Sequence, residues 1–166
     1  MRGFAPLLLD GAVLAARARY GAIWGDVPVT ERLFSGGAVS QRGFGERRLS
    51  PFVSGPTNGV MGGPTIDVPY GGAGLFETSI EARVPITKIR TMPVGIATFL
   101  DGGDVTLTPA ELDLGHLNWA VGGGLRVMTV VGPVRLDIGY RLNRTGPTDP
   151  EPGTRYTYHL SIGEAF

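Results

Sequence analysis

A chain of 166 residues with 15 basic and 15 acidic side chains suits one domain rather than two, and it has no net field that would draw it to nucleic acid. The absence of cysteine excludes disulfide staples and thiolate metal sites. The 27 glycines and 13 prolines leave few windows long enough for a helix, and no apolar run approaches the roughly 18 residues of a membrane-spanning helix.

Met1 to Leu9 is apolar enough to suggest a signal sequence, but Asp10-Gly11 breaks it after a few residues and argues against that reading. Asp10-Gly11 is also a tight-turn signal, consistent with Phe4 to Leu9 being the tail of an earlier strand. A clean period of two then predicts a strand over 12–24. Leu14, Ala16, Ala18, Tyr20, Ala22 and Trp24 fall on one face, with Arg17, Arg19 and Gly21 on the other.

From Gly25 to Ala73 the alternation disappears, which is far longer than an ordinary loop. Its glycines, its prolines and its lack of a charge run predict an ordered excursion rather than a linker. At its centre stands Gln41-Arg42-Gly43-Phe44, a cation and an aromatic on either side of a glycine free to take a positive φ.

Alternation returns in five further segments, 74–86, 94–105, 118–131, 133–143 and 155–166. In the first, Phe76, Thr78, Ile80 and Ala82 oppose Glu77, Ser79, Glu81 and Arg83. In the second, Ile96, Thr98 and Leu100 oppose Ala97, Phe99 and Asp101. In the last, Tyr156, Tyr158, Leu160, Ile162 and Phe166 oppose Thr157, His159, Ser161 and Gly163. One face is always apolar and aromatic; the other is small, polar or charged.

A soluble sandwich and an outer-membrane barrel both alternate, but they put different solvents on the two faces. A sandwich would cover its water-facing side with Lys and Glu. This chain has one lysine, and Trp24, Tyr140, Tyr156 and Phe166 lie at or near strand ends. Short turns (87–93 and 132–133) also alternate with longer loops (25–73, 104–117 and 145–154), the layout of a transmembrane barrel. These features favour an all-β, antiparallel transmembrane β-barrel fold. About six strands, with part of a seventh, fall short of the roughly eight of the smallest closed barrels. An open sheet edge in lipid would leave backbone groups unpaired. The expectation is therefore the C-terminal part of a larger barrel, or a chain that pairs with another copy.

Other candidate sites are weaker. Asp101-Gly-Gly-Asp104 lacks further carboxylates at metal-ligand spacing and reads as a strand end. Gly122-Gly123-Gly124 has no following Lys-Ser/Thr and reads as a bend or close packing inside a strand. His116 and His159 have no catalytic partners in sequence and read as structural. Arg17, Arg19, Arg126, Arg135 and Arg141 are expected to line the inner face beside Glu77, Glu81 and Asp137. No metal, cofactor or enzymatic chemistry is expected.

The order of these parts resembles the Omp85 superfamily, the BamA- and TamA-like outer-membrane assembly factors. Arg32 to Gly37, Gln41-Arg42-Gly43-Phe44 and Leu49-Ser50-Pro51 look like the family's sixth extracellular loop with its (V/I)RG(F/Y) motif, Gln41 standing where an aliphatic residue is usual. Gly74 to Pro85 is similar to the strand after that loop, and Phe99-Leu100-Asp101-Gly102-Gly103 matches the next strand's F-x-D-x-G, with Gly103 its motif glycine. Gly132 to Tyr140 resembles the penultimate strand, and Ile162 to Phe166, with Gly163 and Phe166, the terminal insertion signal.

The resemblance implies location in the bacterial outer membrane and a loop folded into the lumen, its Arg42 paired with Glu81 and Asp101. It implies insertion or translocation of unfolded β-barrel substrate proteins through a lateral seam. Outer-membrane lipid is the expected surrounding, and N-terminal strands and POTRA domains are expected beyond this stretch. A passive pore or structural barrel segment without assembly activity, or a soluble all-β binding module, are the alternatives.

Overall fold

A computed structural model describes residues 1–7, 11–57, 64–130, 132–143 and 155–163. Its strands are β1 (Arg2–Pro6), β2 (Val13–Ala22), β3 (Phe52–Pro56), β4 (Thr65–Pro69), β5 (Gly74–Ile89), β6 (Met92–Thr106), β7 (Asn118–Thr129), β8 (Gly132–Arg141) and β9 (Tyr156–Ile162). Seven of them form one antiparallel sheet in the order β1-β2-β5-β6-β7-β8-β9, and β3 and β4 form a separate hairpin. Among the described residues β1 and β9 are the two edges of the large sheet and do not pair with each other.

Two boundaries differ from the periodicity in an instructive way. β5 and β6 run to Ile89 and from Met92, so the turn between them shrinks from 87–93 to Arg90 and Thr91. Pro85 and Pro93 look like punctuation in the sequence. The sheet absorbs Pro85 in a register shift between Pro85 and Thr87, and pairs Pro93 with Lys88 close to the turn. The β3–β4 hairpin inside the long excursion is short and flanked by Pro51, Pro56, Pro64 and Pro69, which hides its alternation.

The burial pattern is the inverse of a soluble protein's. Val84, Ile96, Leu125, Leu136 and Leu160 stand side by side across five strands. On this outer face Leu125 is 48 % and Leu160 74 % exposed. On the other face Glu77, Ser79, Glu81, Asp101, Arg135 and Asp137 are buried, together with Ala15, Ala97, Phe99 and Ala120. Apolar side chains outward and charged side chains inward is the arrangement of a wall between lipid and lumen. Tyr20, Trp24, Trp119, Tyr140 and Tyr156 gather toward the long-loop end, where the Trp119 ring covers Gly102 and the Tyr140 and Tyr156 rings lie 5.0 Å apart. Amphipathic rings belong at that depth, where apolar wall gives way to polar headgroups.

What buries the inner face is the chain's own loop. Its neck is closed by the paired backbones of Leu33 and Gly72 (2.8 and 2.9 Å) and by Ile23 N–H to the Ala73 carbonyl (2.8 Å). Between those points residues 35–44 lie against the inward side of the sheet.

Candidate functional site

The loop is shaped before it is docked. Gly36 and Gly37 both take positive φ, 100° and 116°, which reverses the chain after Ser35. Phe44 N–H then donates to the Gln41 carbonyl (3.3 Å), a four-residue turn that places Arg42 and Gly43 at its corners. Gly43 itself does not take a positive φ, contrary to the expectation from sequence. Glycine is required there for space: a Cβ would collide with the Ala120 side chain and stand 3.0 Å from Gln41 Oε1.

The Arg42 side chain, 2 % exposed, reaches β5 and β6. Its Nε and Nη2 donate to the two oxygens of Asp101, each at 2.8 Å, a bidentate pair. Its backbone N–H donates to Asp101 Oδ2 as well (3.0 Å). Nη1 donates to Glu81, and Nη2 also to Ser79 Oγ (3.2 Å), whose own hydroxyl is 2.6 Å from Asp101 Oδ1. The guanidinium lies 3.5 Å over the centre of the Phe99 ring, a cation-π contact in a dry site. Burial alone would lower the Arg42 pKa. The hydrogen bonds and charges of Asp101 and Glu81 outweigh it and raise the pKa, so this group stays cationic.

The wall supplies a fitted surface for this contact. Glu81, Phe99, Gly122, Gly139 and Thr157 form one inward row across β5 to β9. Gly122 leaves room for the Phe99 ring to lie flat, since a Cβ there would meet Phe99 Cζ and Cε2. Gly139 leaves room for the backbone of Arg42. Two strand glycines thus let an aromatic and a loop approach the sheet closely.

Other wall charges hold the flanks of the loop. Glu77 accepts from the hydroxyls of Ser35 (2.6 Å) and Ser40, and from Arg19 (3.3 Å). Arg17 donates to the Val39 carbonyl (2.7 Å), Arg135 to Ala38 (2.6 Å) and Arg141 to Gly43 (2.7 Å), while Arg141 also stacks over the buried Phe44 ring. Arg126 links Glu81 (3.2 Å) to Asp137 (2.6 Å), and Arg83 donates to Glu81 (2.7 Å), so Glu81 and Asp137 sit in a network of further arginines.

The structure therefore brings together Gln41, Arg42, Gly43, Phe44, Glu81 and Asp101. Gln41 ties the turn to the wall, because its Nε2 donates to the Asn118 carbonyl (3.1 Å) and its Oε1 accepts from Gly43 N–H (2.8 Å). Gly103 lies beside this group, where a Cβ would stand 3.1 Å from the Phe76 carbonyl and 3.7 Å from Gln41 Cγ. Gly163 is remote from it, with φ 109° and its N–H on the Pro133 carbonyl (2.8 Å). Phe166 lies outside the described residues. Sequence patterning does not assign the serine anchors on Glu77, nor Thr157 and His159 on the Gly43 and Arg42 carbonyls. Strand alternation does put all of these wall residues on the inward face. His116 is in the 107–117 loop, 2.6 Å from Asp113. No group of three or more His, Asp or Glu side chains arranged to hold a metal ion occurs among the described residues.

Residues 1–166 match the Omp85 superfamily domain. The fold is similar to that of a crystal structure of BamA from Haemophilus ducreyi lacking POTRA domains 1–3, with a TM-score of 0.68 at 18 % identity over 95 % of this chain. The chain spans about a third of that structure, 32 % of its length. Among proteins with curated descriptions, none matches the sequence. An inverted sheet folded around its own arginine-anchored loop agrees with the domain match: the chain belongs to the Omp85 superfamily of the bacterial outer membrane, as a C-terminal segment of its β-barrel.

Proposed function

We propose that this chain forms the loop-bearing wall of an outer-membrane machine that inserts or translocates unfolded β-barrel proteins. Binding and strand exchange do the work, without covalent chemistry and without a cofactor. The wall borders a lateral seam at which an incoming strand is templated by backbone pairing. The lumen loop, seated on Arg42, sets whether that wall is closed behind it.

The observation that carries this reading is the burial of Arg42 against both Asp101 and Glu81. A buried ion pair contributes little net stability, because desolvation offsets the attraction, so its value lies in fixing position. A wall that needed only to be a passive pore has no use for so many charged groups devoted to one loop. A seated loop that can also leave suits a machine with two states.

The test is insertion of an unfolded outer-membrane barrel protein into liposomes carrying this chain, native or Arg42→Ala. Acceleration over empty liposomes that falls at least tenfold with Arg42→Ala is expected. If the native chain gives no acceleration, the wall is passive and the proposal is wrong.

A further inference from the structure

The terminal strand β9 pairs with β8 on one side, and among the described residues its other edge meets no strand. Its outer face, Tyr156, Tyr158, Leu160 and Ile162, is exposed among the described residues, where only the Tyr140 ring lies against that of Tyr156. Its inward residues reach the loop instead. Thr157 Oγ1 donates to the Gly43 carbonyl (2.8 Å), and His159 Nε2 lies 3.0 Å from the Arg42 carbonyl. A carbonyl can only accept, so this ring nitrogen carries a proton. The next inward residue, Ser161, accepts from Arg135 Nη2 (2.9 Å), and the same Nη2 donates to the Ala38 carbonyl (2.6 Å). Three successive inward positions of the edge strand are thus tied to the loop, two directly and one through Arg135.

These bonds fall on the same two residues that anchor the loop elsewhere. The Arg42 guanidinium holds β5 and β6, while the Arg42 and Gly43 carbonyls hold β9. The loop therefore bridges the middle of the sheet to its edge by a route that crosses the lumen rather than following the ladder. We propose that Thr157 and His159 are a latch that couples seating of the loop to attachment of β9. When the loop is seated, β9 is held to β8 by its ladder and by the loop. When the loop withdraws, only the ladder and the Arg135–Ser161 bond between β8 and β9 remain, and β9 is the strand that opens most easily. The coupling is reciprocal: a β9 drawn away by an incoming strand loosens the loop. This inference rests on the proposed function in treating the loop as movable.

The test is amide hydrogen exchange on the full chain in lipid bilayers, native against the Thr157→Val/His159→Phe double variant. Removing two partly buried hydrogen bonds is expected to speed exchange in β9 about tenfold while β5 and β6 keep native rates. Thr157→Ser, which keeps the hydroxyl, is expected to exchange as native. Unchanged β9 rates, or equal acceleration in every strand, would overturn the latch. A separate arm uses Asp101→Asn, which releases the loop at its other anchor and is expected to loosen β9 too. Loop release with β9 still protected would sink the latch and leave the proposed function standing. If Asp101→Asn fails to release the loop, the proposed function is at fault, and the latch is decided by the double variant alone.

Discussion

The carbonyl of Arg42 occupies the place where a side chain on Gly139 would begin. A Cβ built there falls on that oxygen and comes within 2.8 Å of the carbonyl carbon and 3.2 Å of Gly43 N. Both obstructing groups are backbone and cannot rotate away. Gly139→Ala is therefore expected to lift the loop off the wall without disturbing the outer face. Trypsin reports this directly, because the Arg42–Gly43 bond is buried in the native chain while Arg47 and Arg48 are exposed. Cleavage after Arg42 in Gly139→Ala, with cleavage after Arg47 and Arg48 as the reference, is the expected result. A protected Arg42 would mean that the close approach is not needed.

The second prediction concerns the ion pair itself. Asp101 receives the Arg42 backbone N–H, Nε and Nη2, and its other neighbour is Ser79. Arg42→Ala leaves that carboxylate and Glu81 buried without their main partner, at a cost of about 3–5 kcal/mol. Adding Asp101→Asn to Arg42→Ala removes one stranded charge, so the double variant is expected to be more stable than Arg42→Ala alone. Urea unfolding in lipid, followed by loss of the heat-modifiable gel band, measures both. Strictly additive losses would show that the two residues do not act as a pair.

Much of this arrangement is legible in the sequence because a strand's side chains alternate strictly. The positions of Glu81, Asp101, Arg135 and Asp137 on the inward face follow from period two alone, whatever lies opposite them. The contact of Arg42 with Asp101 and Glu81 does not follow from period two. It joins residues separated by 59 and 39 positions, and only the family resemblance suggests it. What stays hidden depends on shape in three dimensions. Nothing local marks Gly122 and Gly139 as room for a ring and a carbonyl, and nothing local separates a Gly43 chosen for φ from one chosen for space. The β3–β4 hairpin is short and rich in proline, so its alternation is too brief to register. Proline also makes the β5–β6 turn look longer than it is: Pro85 and Pro93 resemble breaks, and only the register shift at Pro85 shows how the sheet accommodates one of them.

Gln41 is the position where this chain departs from the aliphatic residue its family resemblance leads one to expect, and its two hydrogen bonds explain what the amide does. Gln41→Val would restore the family residue but leave the buried Gly43 N–H without its side-chain acceptor. A loss of about 1–3 kcal/mol is expected, as for a buried group left unsatisfied. The loop should remain seated, because Arg42 keeps all its partners. The check is lower urea stability with Arg42 still protected from trypsin. Unchanged stability would show that an aliphatic side chain fills the site equally well.

The last prediction separates lipid from water as the solvent of the outer face. Leu125 stands in the middle of the apolar row formed with Val84, Ile96, Leu136 and Leu160, on the face turned away from the loop. On a water-facing sheet, an arginine at this half-exposed position would be close to neutral, as most surface substitutions are. In a bilayer the same Leu125→Arg change costs about 2–4 kcal/mol near the midplane and progressively less toward either interface. Trp24 and Tyr20 lie nearer the aromatic end, so an arginine at Tyr20 should cost less than one at Leu125 if the belt marks an interface. Folding stabilities of Leu125→Arg and Tyr20→Arg in lipid vesicles give the comparison. A large loss for Leu125→Arg with a smaller one for Tyr20→Arg is expected, and equal, negligible losses would place water on this face.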